Sequence, residues 1–208
     1  MPRQGRLEYQ RLIVGYHGCD RETFERVLLG PDESLDPSDN DYDWLGKGIY
    51  FWEFAPRRAL EFAREKKNRG GINDPAVLGA YIHLGRCFDL TDVEHTHQLK
   101  DAFDRFKEAW KLAGRKIPKN HPADQKDNDL LLRERDCAVL NFYMSQMDMD
   151  AESAYRYQSV RGVFQEGDAA FEGSKIRKKS HVQIAVRDPA CIVGYFRPSS
   201  FSEQGGTS

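Results

Sequence analysis

No run of this sequence is apolar for long enough to cross a membrane as a helix. The first residues, Met1-Pro2-Arg3-Gln4-Gly5-Arg6, hold no apolar stretch of the kind a secretory leader needs. Cysteine is scarce, and Cys19, Cys87, Cys137 and Cys191 lie far apart with no C-x-x-C pair. That spacing argues against a disulfide framework or a zinc knuckle and fits a reducing cytosol, so the expected location is cytoplasmic, with no membrane partner. Cys87 and Cys191 lie in apolar, strand-like surroundings and are expected in the core. No G-x-G-x-x-G is present, which argues against a Rossmann dinucleotide loop. His95, His97 and His121 match no strong zinc spacing, and no metal is expected. A net charge of -2 leaves no global positive field to draw nucleic acid. There is no internal repeat and no linker that would divide the chain.

What is there suits one folded unit. With 208 residues, 39% hydrophobic and 31% charged, the chain is long enough to bury one core. We expect a single domain over 1–200, with a helical insertion at about 95–155 and a frayed Ser/Gly tail at 201–208. Arg11 to Tyr16 reads as a strand, and Asp20 as the N-cap of a helix over Arg21 to Leu29 that stops at Gly30-Pro31. Ile49 to Trp52 reads as a strand, and Pro56 as the first residue of a helix with Ala59, Leu60, Phe62 and Ala63 on its apolar face. Arg57, Arg58, Arg64, Lys66 and Lys67 give that helix a basic face. Val77 to Phe88 reads as a strand broken by glycine, and Thr96 to Ala113 and Leu130 to Met147 as amphipathic helices. Strands follow at Val160 to Gln165, His181 to Val186 and Ile192 to Phe196. Strands at both ends with helices between them predict the α+β class.

Two short motifs carry the chemistry. Tyr16-His17-Gly18, followed by Gly46-Lys47-Gly48-Ile49-Tyr50-Phe51 and a helix opened by proline, resembles the first two motifs of the PARP-like and diphtheria-toxin-like ADP-ribosyltransferases. That group is defined by a His, a Tyr and a third residue that is Glu, Asp or Gln. The resemblance implies an ADP-ribosyltransferase fold, two packed and mostly antiparallel sheets with inserted helices, and NAD as a reactant without a metal. It gives His17 the adenine-side ribose and Gly18 the nicotinamide carboxamide, where the absent Cβ would let the backbone approach the ligand. Tyr50 would stack on the nicotinamide ring, with Phe62 closing its other face. Ala59 stands near where relatives often carry a serine.

By the resemblance, the third residue is Gln183, at the family's position in the strand His181 to Val186, with Glu166 as the alternative. A glutamine can hold the ribose 2′-OH but cannot act as a base, so Glu166, with Glu172 as a weaker candidate, would supply a carboxylate. The implied function is mono-ADP-ribosyl transfer from NAD to a macromolecule, nucleic acid or protein, as a bacterial toxin or defence effector that would have an antitoxin. The alternatives are an NAD glycohydrolase and an inactive NAD-binding or ADP-ribose-binding module. Lys175, Arg177, Lys178 and Lys179 form a basic cluster in the loop where relatives choose their target, and would contact phosphates or an acidic protein surface.

Overall fold

The alternation of Leu12, Val14 and Tyr16 against Ile13, Gly15 and His17 sends successive side chains to opposite faces of strand β1, Tyr9–Asp20. The computed structural model describes residues 9–30, 33–123, 129–149 and 156–199. The tail expected at 201–208 lies outside them. Asp20 caps helix α1 (Arg21–Leu29), accepting from the Glu22 amide at 3.4 Å, and Phe24 and Val27 are its buried residues. Strand β2 (Ile49–Glu53) turns into helix α2 (Pro56–Asn68) through Phe54, held at φ 48. Strand β3 (Pro75–Gly85) ends on a left-handed Gly85 at φ 57, and β4 (Cys87–Asp89) follows after Arg86. The insertion contributes α3 (Val93–Leu112), opened by Asp92 rather than at Thr96, and α4 (Glu134–Met149), which starts later than Leu130. Strands β5 (Ser159–Phe164), β6 (His181–Val186) and β7 (Ile192–Phe196) complete the chain.

The class is α+β. In place of two packed sheets there is one seven-stranded sheet, in the order β4-β5-β6-β2-β1-β3-β7. Among the described residues only the β4–β5 pairing is parallel, and α3 and α4 lie in the crossover that a parallel pair requires. The two halves are knitted where β1 pairs with β2, through Gly15–Glu53 and Tyr16–Trp52, with the Phe54 amide on the Val14 carbonyl at 3.0 Å. That join is what makes a single sheet. It is short, and at His17 a side-chain bond replaces the ladder.

Each face of the sheet is covered differently. Phe24 and Val27 of α1 pack with Ile13, Phe51, Leu78, Ile82 and Ile184 on one face. On the other face, Leu140, Tyr143 and Met144 of α4 pack over Phe88, Val160 and Ala185, at the β4-β5-β6 end. Ala59 of α2 packs with Trp52 and Val77 over the β2-β1-β3 part. The candidate site lies along the stripe where these last two covers meet.

Candidate functional site

Residues directly opposed in an antiparallel pair share a face. The pairings Tyr16–Trp52, Trp52–Gln183 and Gly162–Gln183 therefore line up one row across β1, β2, β6 and β5. Gly162 leaves a hollow in that row, and Trp44 fills it: a Cβ on Gly162 would lie 2.6 Å from the indole. From there Trp44 Nε1 donates to Gln183 Oε1 at 2.6 Å. The aromatic lining continues through Phe164, 5.2 Å from Trp44, to His181, 5.6 Å from Phe164. Trp52 is 6.1 Å from His181 and 4.8 Å from Phe62 between ring centroids. Gln183 thus sits in an aromatic stripe with its amide oriented by an indole.

His17 donates from Nδ1 to the Tyr50 carbonyl at 2.7 Å, since a carbonyl can only accept. Burial, with Lys66 acting in the same direction, pulls the imidazole below its ordinary pKa against the opposing Tyr50 carbonyl, so the ring is neutral and Nε2 carries a lone pair. Tyr50 packs in the α4 cluster, and its hydroxyl donates to the Gly46 carbonyl at 2.8 Å and accepts from the Leu45 amide at 3.0 Å. Burial holds that hydroxyl well above its ordinary pKa. Tyr50 therefore closes the loop that carries Trp44.

The packing sets several of the expected residues in surroundings that the chain did not indicate. The space beside Gly18 is taken by protein: a Cβ there would lie 2.2 Å from the Ala59 carbonyl oxygen, so the missing methyl lets α2 approach β1. Tyr50 and Phe62, expected on opposite faces of one ring, belong to separate clusters, and Phe62 packs at a tilt against Trp52 with Lys66 Nζ 5.8 Å from its centre. Glu166 is not a free carboxylate. It is buried, and Arg58 Nη2 grips its oxygens at 2.9 and 2.8 Å. Arg58 correspondingly leaves the basic face of α2, its side chain only 10% exposed. Glu172 is exposed in the loop after β5.

The basic cluster is also divided. Arg177 pairs with Asp129, and Lys179 Nζ bonds Glu65 at 2.9 Å, while Lys175 and Lys178 are exposed. His95 packs 4.7 Å from Phe88, and His121 Nε2 meets Glu134 at 2.9 Å. All four cysteines are buried, and burial raises Cys87 and Cys137 to about 12 and Cys19 and Cys191 to about 11.

Trp44, Trp52, Arg58 and His181 emerge from the structure alone. Strand periodicity held a signal for two of them: Trp52 is two residues beyond Tyr50 and His181 two before Gln183, hence on the same faces.

A scan against known families finds no match, and no solved structure matches. Among curated proteins, an uncharacterized protein of Methanocaldococcus jannaschii is similar, 25% identical over 207 aligned residues that cover 89% of this chain and 86% of that one.

Proposed function

We propose that this protein cleaves the bond between nicotinamide and ribose in NAD and transfers ADP-ribose to an acceptor, as an ADP-ribosyltransferase of the PARP-like and diphtheria-toxin-like kind. One observation carries the reading. The motif residues His17, Tyr50 and Gln183 fall on the three adjacent strands β1, β2 and β6, and His17 is bonded to Tyr50 at the point where the β1–β2 ladder gives way. A nicotinamide would enter beside Tyr50, and Gln183 would hold the neighbouring ribose by its 2′-OH. The chemistry is substitution at the anomeric carbon through an oxocarbenium-like transition state, so a site without a strong nucleophile still accelerates it by orientation and charge stabilisation.

Transfer to a macromolecule, in a toxin or defence role, is the leading form of the reaction. Hydrolysis is favoured by one specific finding: Glu166, the carboxylate that would serve a large acceptor, is locked by Arg58. Incubation of purified protein with adenine-labelled NAD and cell lysate, divided between protease and nuclease treatment, tests both forms. Label removed with protein or with nucleic acid identifies transfer, and free ADP-ribose identifies hydrolysis. His17→Ala and Tyr50→Ala should abolish nicotinamide release. Absence of release by the unaltered protein would overturn the proposal.

A further inference from the structure

Four buried polar atoms beside the first turns of α2 have no hydrogen-bond partner among the described residues: Trp52 Nε1, Arg58 Nε, Arg58 Nη1 and His181 Nε2. Their side chains are neighbours. The rings of Trp52 and His181 are 6.1 Å apart, and Arg58 and His181 meet at Glu166, 2.8 Å from Arg58 Nη2 and 4.0 Å from His181 Nδ1. Arg58 Nη1 lies 3.8 Å from Glu65, an ion pair beyond hydrogen-bond reach. Buried polar groups are nearly always satisfied, so orphans gathered in one place beside the candidate site call for a ligand.

The chemistry of the set is narrow. The 2.6 Å contact of His181 Nδ1 with the Lys179 carbonyl fixes the proton on Nδ1 and leaves the lone pair on Nε2. Trp52 and Arg58 offer only donors. Trp52 and Arg58 need an acceptor and His181 Nε2 needs a donor, and a water or a hydroxyl is both. On the same face, Gln183 stands two residues along the strand, about 7 Å away by strand geometry.

Resting on the NAD-cleaving reading, we propose that this cluster seats the attacking O–H nucleophile and that His181 Nε2 is the general base that takes its proton. The nucleophile oxygen bonds to the anomeric carbon of the nicotinamide ribose, and the carbon–nitrogen bond breaks. Its electron pair returns to the pyridinium nitrogen, neutral nicotinamide leaves, and the proton moves to His181. Glu166 then faces the imidazolium. The group is neutral beforehand, because burial lowers its pKa below the ordinary value, helped by Arg58 and opposed by the Lys179 carbonyl and Glu166. Arg58 from α2, Glu166 from the segment after β5, and Lys179 with its partner Glu65 are the charged groups around it.

The test is NAD turnover against pH for the unaltered protein, His181→Gln and Trp52→Phe, with melting curves beside each. The unaltered protein should hold its rate through the ordinary histidine range of about pH 6.5 and lose it only on further acidification, as His181 protonates at its lowered pKa. His181→Gln should be slower by about 100-fold, lose that acid limb and recover partly with added imidazole. Trp52→Phe should lower kcat roughly tenfold, the cost of one donor, with KM for NAD unchanged. A folded His181→Gln protein that keeps the acid limb, or Trp52→Phe with unchanged kcat, would overturn the assignment. Free ADP-ribose identifies water as the nucleophile and an ether-type adduct identifies an acceptor hydroxyl; both agree with the proposal. A carboxylate ester or a nucleobase nitrogen adduct refutes it. If the unaltered protein releases no nicotinamide, the NAD reading itself falls, whereas an unimpaired His181→Gln fells this inference alone.

Discussion

A single hydrogen atom in place of a methyl decides how α2 meets β1. Gly18→Ala would drive its Cβ to 2.2 Å from the Ala59 carbonyl oxygen, a backbone atom that no rotamer change can move aside. We expect a loss of about 1–3 kcal/mol in urea unfolding, the usual cost of overpacking. An unchanged midpoint would mean that α2 shifts freely. Trp44 is the second residue whose role is specific. Trp44→Phe keeps a ring over Gly162 and against Phe164 but removes the 2.6 Å donor that orients Gln183. Turnover should fall several-fold, about 1 kcal/mol of transition-state stabilisation for a neutral hydrogen bond, with little change in melting temperature. Equal kinetics for the two proteins would remove Trp44 from the site. Of the residues read from the chain, His17 meets Tyr50 only at its main-chain carbonyl. The pairing of Glu166 with an arginine 108 positions away was not legible, since no local pattern links the two.

At the scale of elements, α2 joins the two parts of the candidate site. It presents Ala59 and Phe62 to the sheet and sends Arg58 across to Glu166 behind β5. Both partners are nearly buried, so removing one leaves an unpaired charge in the interior. Arg58→Met should cost about 3–5 kcal/mol, and adding Glu166→Gln should recover a large part of it. Denaturant titration of the single and double variants checks this, and a double variant as unstable as the single would show that the pair is not coupled. The loop from Glu166 to Ser180 is pinned in the same way. The Gly167 amide donates to Asp129 at 2.7 Å, Arg177 pairs with the same carboxylate, and Lys179 reaches Glu65 on α2. A helix pattern separates apolar from polar positions, yet it does not say which polar residue will meet a distant carboxylate. Arg58 therefore read as part of a solvated basic face.

For the whole molecule, the buried histidines predict how stability responds to acid. Burial first of all depresses the pKa of both His17 and His181 in the folded state. The unfolded chain, with ordinary histidines, then binds more protons below about pH 6.5, so their contribution is complete above that value and is lost as pH falls toward the depressed values. His121 acts in the opposite sense, since Glu134 raises its pKa, but it is exposed and screened. Asp20 and Asp104 have lowered pKa values and matter only at more acidic pH, near the carboxylate range of about 4. The melting temperature should therefore drop as pH falls below about 6.5, and His181→Gln should flatten part of that drop. A flat profile over this interval in the unaltered protein would contradict the buried, neutral state of both rings.

The amino-acid order by itself determined what depends on near neighbours. Asp20 as a cap, Pro56 as the first residue of α2, the strand limits of β6 and β7, and the α+β class all follow from periodicity, capping and turn chemistry within a few residues. Tertiary structure decided what depends on strands meeting across the sheet. It joined seven strands into one sheet through a two-pair contact, gave the space beside Gly18 to Ala59, and set Tyr50 and Phe62 in different clusters. It also set Trp44 on Gln183 and brought Trp52 and the Arg58–Glu166 pair to His181. Cross-strand register and helix docking bring together residues more than 100 positions apart, and no local pattern encodes which of them will touch.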